Sequence, residues 1–194
     1  MKNILIIFSI IFSVSSFGQN VGIGVPAPAE KLEVAGNTKA DGFKYNAPKT
    51  FYYAIPDAAF SARSGSETVQ KTFSSGGAFI SNGTTGYGLT APIHLPHGAK
   101  VISITAEMYD ASATQDLSCN FDEQFTTGFV AVTTLQTSGS TGFISQSVTL
   151  TPSKVIDNIN RAYELIVYPT SGNWTSFDLM IKRVVITYTV TETQ

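Results

Sequence analysis

The sequence predicts an all-β protein: an antiparallel, jelly-roll-like β-sandwich over residues 49–194, preceded by a short extended stalk segment. Between residues 51 and 191 the apolar residues fall in short runs rich in Val, Ile, Thr, Phe and Tyr. Each run is bounded by Gly, Ser, Asn, Asp or Pro, which favour turns. No long segment repeats its apolar residues at the helical period, so roughly eight strands without helices between them favour a sandwich.

The clearest strand is the last one, "DLMIKRVVITYTVTETQ". Neighbouring side chains of a strand point to opposite faces, so one parity is predicted to be buried and the other to face water. The buried set is Val184, Ile186, Tyr188 and Val190. In "AKVISITAEMYD" the same argument directs toward the core Ile102, Ile104, Ala106 and Met108.

One segment leaves two interpretations open. "SKVIDNINRAY" is either an irregular loop or a short helical turn. In the helical interpretation Ser153 caps the turn, and Ile156 and Ile159 face inward.

The first 18 residues are predicted to be a cleaved signal peptide. Lys2 forms a short basic region, an apolar run extends from Ile4 to Val14, and Ser16 and Gly18 occupy the −3 and −1 positions. The apolar run is shorter than a typical membrane-spanning helix. We therefore expect an exported protein, in the periplasm, on the cell surface or in the medium, with no membrane insertion after cleavage.

Charge and cysteine content narrow the list of partners. The formal net charge is −2, and no basic run is present, so neither nucleic acid nor anionic lipid is an expected partner. Cys119 is the only cysteine, so no intrachain disulfide can form. It is either a buried small hydrophobe or an exposed thiol able to link two chains.

Residues 19–48 contain too little apolar bulk to offset the entropy of ordering them. Such a segment is either a flexible linker or is stabilised by other chains. "NVGIGVPAPAEKLEVAGNTKADGF" resembles the "GIGTxxPxxKLxVxGNxxAxGF" segment of exported Bacteroidetes proteins and of phage tail-fibre and tailspike stalks. The resemblance implies a trimeric stalk, and a homotrimer whose contact residues are Ile23, Leu32 and Val34. "LPxGAxV" at residues 95–101 resembles the β-sandwich heads that follow such stalks.

No catalytic motif is present: the sequence has no G-x-S-x-G, H-E-x-x-H or P-loop pattern. His94 and His97 flank a turn, and without further ligands at suitable spacing they predict solvated turn residues rather than a metal site. The acids Asp110, Asp116, Asp122 and Glu123 are predicted to form a solvated rim, since their spacing departs from a calcium loop. We expect neither a metal nor a cofactor.

Three aromatic residues are candidates for stacking against a sugar: Trp174, Tyr168 and Tyr109. Trp174 follows the turn "PTSGN", where an exposed ring is plausible, although packing at the core edge is the competing interpretation. The main functional prediction is a non-enzymatic, trimeric, fibre-like adhesive protein whose head binds a glycan, a surface or a protein. The alternatives are a monomeric carbohydrate-binding module that uses Trp174 and a polysaccharide hydrolase without a recognisable motif.

Overall fold

The structure is a computed structural model that describes residues 20–64, 69–71, 76–81, 88–139, 142–170, 174 and 176–192. The predicted signal peptide, residues 1–18, lies outside these ranges. The chain divides into two compact units between Phe43 and Lys44, so the second unit begins earlier than the predicted residue 49. In the described ranges, no helix has the length and apolar character needed to cross a membrane.

The first unit contains two short parallel strands, β1 (Val21–Ile23) and β2 (Leu32–Val34). Hydrogen bonds from Val21 N to Lys31 O (2.8 Å) and from Ala35 N to Ile23 O (2.9 Å) extend the pairing at both ends. A Cβ atom on Gly22 would lie 2.2 Å from the Val25 carbonyl oxygen, so the loop that joins the strands closes tightly at this glycine.

From the sequence we expected partner chains to supply the strand pairing of this segment. The structure supplies it within one chain instead, because β1 provides the hydrogen bonds that β2 requires. Of the residues assigned to a trimer contact, Ile23 and Leu32 are 58% and 62% exposed and Val34 is half-buried. The likeness of the segment to fibre stalks stays a prediction about its sequence.

The second unit is a sandwich of two sheets whose strands pair antiparallel. Its strands are β3 (Lys44–Pro56), β4 (Ser61–Ala62), β5 (Val69–Lys71), β6 (Ala78–Ile80), β7 (Leu89–Pro92), β8 (Lys100–Asp110), β9 (Leu117–Phe125), β10 (Gly128–Gln136), β11 (Gly142–Val155), β12 (Ala162–Pro169) and β13 (Leu179–Glu192). One sheet has five strands in the order β10-β9-β12-β7-β4. The other has six, in the order β11-β8-β13-β6-β5, with β3 also on β13.

The chain crosses between the sheets at nearly every connection from β7 to β13. Only the β9–β10 hairpin returns to the same sheet. This winding gives the jelly-roll-like β-sandwich that the sequence predicts, and the fold prediction is confirmed.

The core lies between the two sheets and follows the predicted alternation along β13. Val184 and Ile186 are fully buried there. In β8 the alternation shifts at a β-bulge: the pairing with β13 is irregular between residues 101 and 103, so Val101 is buried and Ile102 is only half-buried. The prediction that Ile102 faces the core was therefore wrong, because alternation alone does not reveal a bulge.

The segment with two interpretations is a strand end followed by a tight turn. Ser153 belongs to β11, and the Arg161 N–H donates to the Asp157 carbonyl (3.0 Å) across residues 158–160. Ile156 is buried, but Ile159 is 80% exposed, so the helical interpretation fails. A hydrogen bond from the Asn160 side chain lowers the pKa of the Asp157 carboxyl, which also accepts the Ile159 and Asn160 backbone N–H groups.

Cys119 is a free thiol in the core, which confirms the interpretation as a small buried hydrophobe. Burial, with a smaller contribution from the nearby Asp122 charge, raises the pKa of this thiol to about 12. It therefore stays protonated and unreactive at neutral pH.

Candidate functional site

The outer face of the five-stranded sheet carries an unusual number of polar side chains. Along β9, Leu117, Cys119 and Phe121 point into the core. The residues of the other parity point away from the core: Ser118, Asn120, Asp122 and Gln124. The neighbouring strands add, on the same face by register, Thr90, Pro92, Glu164, Ile166 and Tyr168. We call this set of outward side chains the groove face.

The groove face is recessed rather than flat. Asp122 is 0% exposed, Ser118 2% and Ile166 3%, although all three point away from the core. Ile166 is buried without belonging to the core cluster. An outward residue of a sheet normally meets water, so burial of this kind indicates a concave surface.

The two rims of the sheet approach each other. Arg63 directly follows β4, the last strand in the sheet order, and Phe129 lies on β10, the first. The Arg63 guanidinium carbon is nevertheless 5.2 Å from the centre of the Phe129 ring, a cation–π contact. The Arg63 N–H donates to the Gly88 carbonyl (2.9 Å), which holds the backbone of this rim against the start of β7. The sheet must therefore curl strongly across its width.

One end of the groove face opens into a cavity of about 460 Å³. Its walls are formed by the ends of β7, β9 and β12, by the segment after β7 and by the turn before β12. The lining residues are Thr90, Pro92, Ile93, His94, Leu95, Gln124, Asn158, Arg161, Ala162, Tyr163 and Glu164. This volume lies within the range of small-molecule binding sites in proteins.

Glu164 is held in one orientation on the floor of the groove. Thr90 Oγ1 donates to Glu164 Oε2 at 2.6 Å, and Gln124 Nε2 donates to Oε1. These donors come from the strands on either side of β12, so the carboxylate is fixed by the sheet itself.

Asp122 lies directly opposite Glu164 and has the reverse environment. Both of its carboxylate oxygens are buried, and within the described part of the chain neither has a hydrogen-bond partner. Burial raises the pKa of the Asp122 carboxyl, the neighbouring Glu164 charge raises it further, and Arg63 lowers it in part. A buried carboxyl without donors is unfavourable for folding, so it points to a functional site.

At the other end of the groove face, Asn120 holds the neighbouring side chains in place through hydrogen bonds. Its Oδ1 accepts from Thr134 Oγ1 (2.9 Å) and Ser118 Oγ (3.3 Å), and its Nδ2 donates to the Tyr168 hydroxyl (3.3 Å). The half-buried Tyr168 ring is thereby anchored on the same face as Asp122 and Glu164.

The cavity end is reinforced by an ion-pair group that joins the two sheets. Glu123 Oε1 on β9 lies 2.7 Å from Lys154 Nζ on β11 and 3.4 Å from Arg161 Nε. The Arg161 guanidinium also lies 5.5 Å from the centre of the Phe125 ring. Because Arg161 has these partners, its charge at the cavity wall is largely compensated.

The three aromatic residues predicted from the sequence do not come together. Tyr168 lies on the groove face. Trp174 is only 5% exposed and belongs to the core, so it presents no ring to a ligand. Tyr109 points outward from the six-stranded sheet, where its ring packs 4.7 Å from Phe143. The core-edge interpretation of Trp174 is therefore the one that the structure supports.

The sequence analysis missed Asp122, Glu164 and Phe129 as site residues. A signal existed in "LSCNFDEQF", where one parity is apolar except for Glu123 and the other is entirely polar. Polar residues of a strand usually mean water, which is why Asp110 and Asp122 were assigned to a solvated rim. That assignment was wrong for both, since each is 0% exposed.

The two histidines do not gather other metal ligands. His94 lines the cavity, and His97 Nδ1 accepts the backbone N–H of Asn158 at 3.2 Å. In the ranges that the structure describes, no group of three or more His, Cys, Asp or Glu residues could hold a metal ion.

No family model and no curated protein matches the chain. Similar solved structures include a xylan-binding module of family CBM15, 16% identical over 72% of this chain and 97% of the module, with a TM-score of 0.47. The C-terminal CBM6 module of LamC, a laminarinase from Zobellia galactanivorans, is 16% identical over 71% and 99%, with a TM-score of 0.45. The xylan-binding domain of family CBM22 is 11% identical over 76% and 97%, with a TM-score of 0.43.

The main functional prediction, a trimeric fibre-like adhesive protein, was wrong. The three structures named above are carbohydrate-binding modules, the class given in the alternative prediction. The pairing of β1 with β2 gives a physical reason for the error, because the segment forms its hydrogen bonds without a partner chain. The low apolar content of this segment was interpreted as a requirement for partner chains. Part of the stabilisation comes instead from the tight, glycine-containing loop that brings β1 and β2 together.

Proposed function

We propose that the second unit is a non-catalytic carbohydrate-binding module that holds a polysaccharide chain along the groove face. The observation that carries this proposal is a recessed sheet face on which fixed polar groups and aromatic rings occur together. Glycan binding needs both: rings stack on the apolar faces of sugars, and fixed polar groups pair with hydroxyls.

Two rings are placed to contact a sugar. Phe129 on the β10 rim is 56% exposed, and Tyr168 on the floor is held by Asn120. Glu164 is oriented between them by Thr90 and Gln124. A chain that runs from the cavity toward Tyr168 passes all three groups.

The two carboxyl groups of the groove face are poorly placed to hydrolyse a polysaccharide. Hydrolysis of a glycosidic bond generally needs two carboxyl groups that can both reach the bond. Glu164 is fixed by two donors from the flanking strands, and Asp122 lies beside it on the neighbouring strand of the same sheet face rather than across a cleft from it. This pair is therefore suited to binding and not to proton transfer at a bond. Release of reducing ends from any polysaccharide of the panel below would contradict this part of the proposal.

The proposal includes export of the protein to the compartment where polysaccharides are found. The predicted signal peptide supports it. N-terminal sequencing of protein recovered outside the cytoplasm should begin at Gln19.

Affinity electrophoresis against a panel of polysaccharides, followed by calorimetry on oligosaccharides, tests the binding. Xylan, laminarin, galactan and mannan make a suitable panel. We expect at least one of them to retard the wild-type protein. Phe129→Ala should weaken that binding about tenfold, the loss of one stacked ring.

Phe143→Ala is the matched control. Phe143 is 60% exposed, much like Phe129, but it lies on the outer face of the six-stranded sheet. Its replacement should leave the affinity unchanged. Equal losses in the two variants would mean that binding does not occur at the groove face, and retardation by no glycan would reject the proposed function.

A further inference from the structure

We propose that Asp122 makes the groove select uncharged, hydroxyl-rich sugars, by accepting hydrogen bonds from adjacent hydroxyl groups of one sugar ring. The inference rests on the proposed function, since it names the ligand class of that same site. Asp122 lies on β9, the strand between β10 and β12. Its register partners are Glu164 on one side and Ala131 on the other.

The carboxyl group of Asp122 lacks donors from the protein. An ionised carboxylate can accept about four hydrogen bonds, and among the described residues Asp122 receives none on either oxygen. The donors beside it are engaged elsewhere: Thr90 and Gln124 donate to Glu164, and Asn120 donates to Tyr168. Among the described residues the donors for Asp122 are therefore missing, and the inference assigns them to the ligand.

Sugar hydroxyls supply what is missing. Two hydroxyls on neighbouring ring carbons donate in nearly the same direction, so both can reach the two oxygens of one carboxylate. Planar, two-point recognition of this kind gives geometric specificity as well as affinity. A ligand without such donors would leave a buried carboxylate unpaired, which disfavours its binding.

The charges that face Asp122 exclude anionic sugars. Glu164 faces it from β12, and Arg63 approaches from the end of β4. The facing residues of β10, Phe129 and Ala131, are uncharged. Two carboxyl groups against one guanidinium repel a uronate or a sulfate ester brought onto the floor.

A sugar that stacks on Phe129 has to displace one side chain. Arg63 is an exposed residue whose guanidinium lies against Phe129 across the groove. An exposed cation–π contact is weak, so a sugar that stacks on Phe129 can replace the guanidinium there. We expect displacement of Arg63, whose charge acts on the Asp122 carboxyl, to give the sugar donors access to that carboxyl.

The test compares the wild type, Asp122→Asn and Glu107→Gln on neutral and anionic glycans by calorimetry. Glu107 is a matched control, because its carboxylate also lies on an outer sheet face and is paired with Arg183 at 2.6 Å. Unsubstituted xylan or laminarin oligosaccharides serve as neutral probes, and polygalacturonate and alginate oligosaccharides as anionic ones.

We expect the wild type to bind a neutral probe at least about tenfold more tightly than either anionic one. Asp122→Asn should weaken neutral binding about tenfold, because the amide accepts at only one atom. The neutral-to-anionic ratio should also fall. Wild-type affinity for the neutral probe should rise with pH as Asp122 ionises, whereas that of the variant should stay constant. Glu107→Gln should match the wild type.

Two results would overturn the inference while leaving the proposed function in place. One is unchanged neutral binding by Asp122→Asn, and the other is a wild type that prefers an anionic probe. If the wild type binds no glycan, the proposed function itself fails and this inference fails with it. Circular dichroism of each variant verifies that a loss of affinity is not a loss of fold.

Discussion

At the scale of single residues, Asp122 shows a conflict between folding and binding. Its carboxyl group is buried, receives no hydrogen bond from the described chain and faces a second carboxylate. Natural proteins keep such unfavourable groups mainly where function requires them. The identity of this residue is visible in the sequence, but its environment is created by two neighbouring strands that are distant along the chain.

Asp122→Asn should stabilise the free protein at neutral pH. The folded-state pKa of Asp122 is raised, so the folded protein binds more protons than the unfolded chain once the pH exceeds about 4, the ordinary value for Asp. The wild type therefore loses stability as the pH rises from about 4 through the folded-state pKa. In the Asp122→Asn variant no group titrates at this position, so the stability does not fall in this way.

Denaturant titrations at several pH values measure the difference. The free energy of unfolding of the variant should exceed that of the wild type at pH 7, and the two should converge near pH 4. A variant that is less stable at pH 7 would show that Asp122 is paired in solution.

At the scale of secondary structure, alternation predicts which residues share a face but not what that face meets. On β9 the alternation separates Phe121 from Asp122 correctly. Whether the polar side is solvent or the floor of a groove depends on the strand order β10-β9-β12-β7-β4, which pairs segments far apart in sequence. The bulge at Ile102 escaped prediction for the same reason, and the sequence left open whether Trp174 is exposed or packed at the core edge, because both features are set by long-range packing.

Gly88→Ala should disturb β7 and, through it, the groove. A Cβ atom on Gly88 would lie 2.8 Å from the Val167 carbonyl oxygen of β12, which is too close for the present pairing. We expect a loss of about 1–3 kcal/mol in unfolding free energy. Glycan binding should also weaken, because β7 carries Thr90, which orients Glu164.

Gly128→Ala is the control for that variant. A Cβ atom there meets only Phe125, at an ordinary 3.8 Å. Thermal denaturation and glycan titration of both variants make the comparison. Similar behaviour of the two would show that β7 can shift away from β12 without consequence.

At the scale of the whole molecule, the sandwich carries its own core. All residues of the described core cluster lie at or beyond Ile55, inside the second unit. The low apolar content of residues 19–48 predicted a short N-terminal segment ahead of a sandwich. Sequence reasoning assigned the segment to a trimer because pairing of β1 with β2 inside one chain leaves little trace in the sequence.

A protein that begins at Lys44 should therefore fold and bind glycan like residues 19–194. Equal thermal midpoints and equal affinities for the same oligosaccharide are the expected results, since the core, the cavity and both rims are retained. A large fall in midpoint for the shorter protein would show that residues 20–43 support the sandwich.

The contact of Arg63 with Phe129 also bears on the physical form of polysaccharide that the protein can use. Rims that nearly meet prevent a broad, planar crystal face of cellulose or chitin from reaching Glu164 or Tyr168. A single hydrated strand, free on all sides, can enter between them by displacing Arg63 from Phe129. The protein should consequently gather on soluble or amorphous material, such as gel-like matrix glycans, and be washed freely from microcrystalline powder of the same sugar.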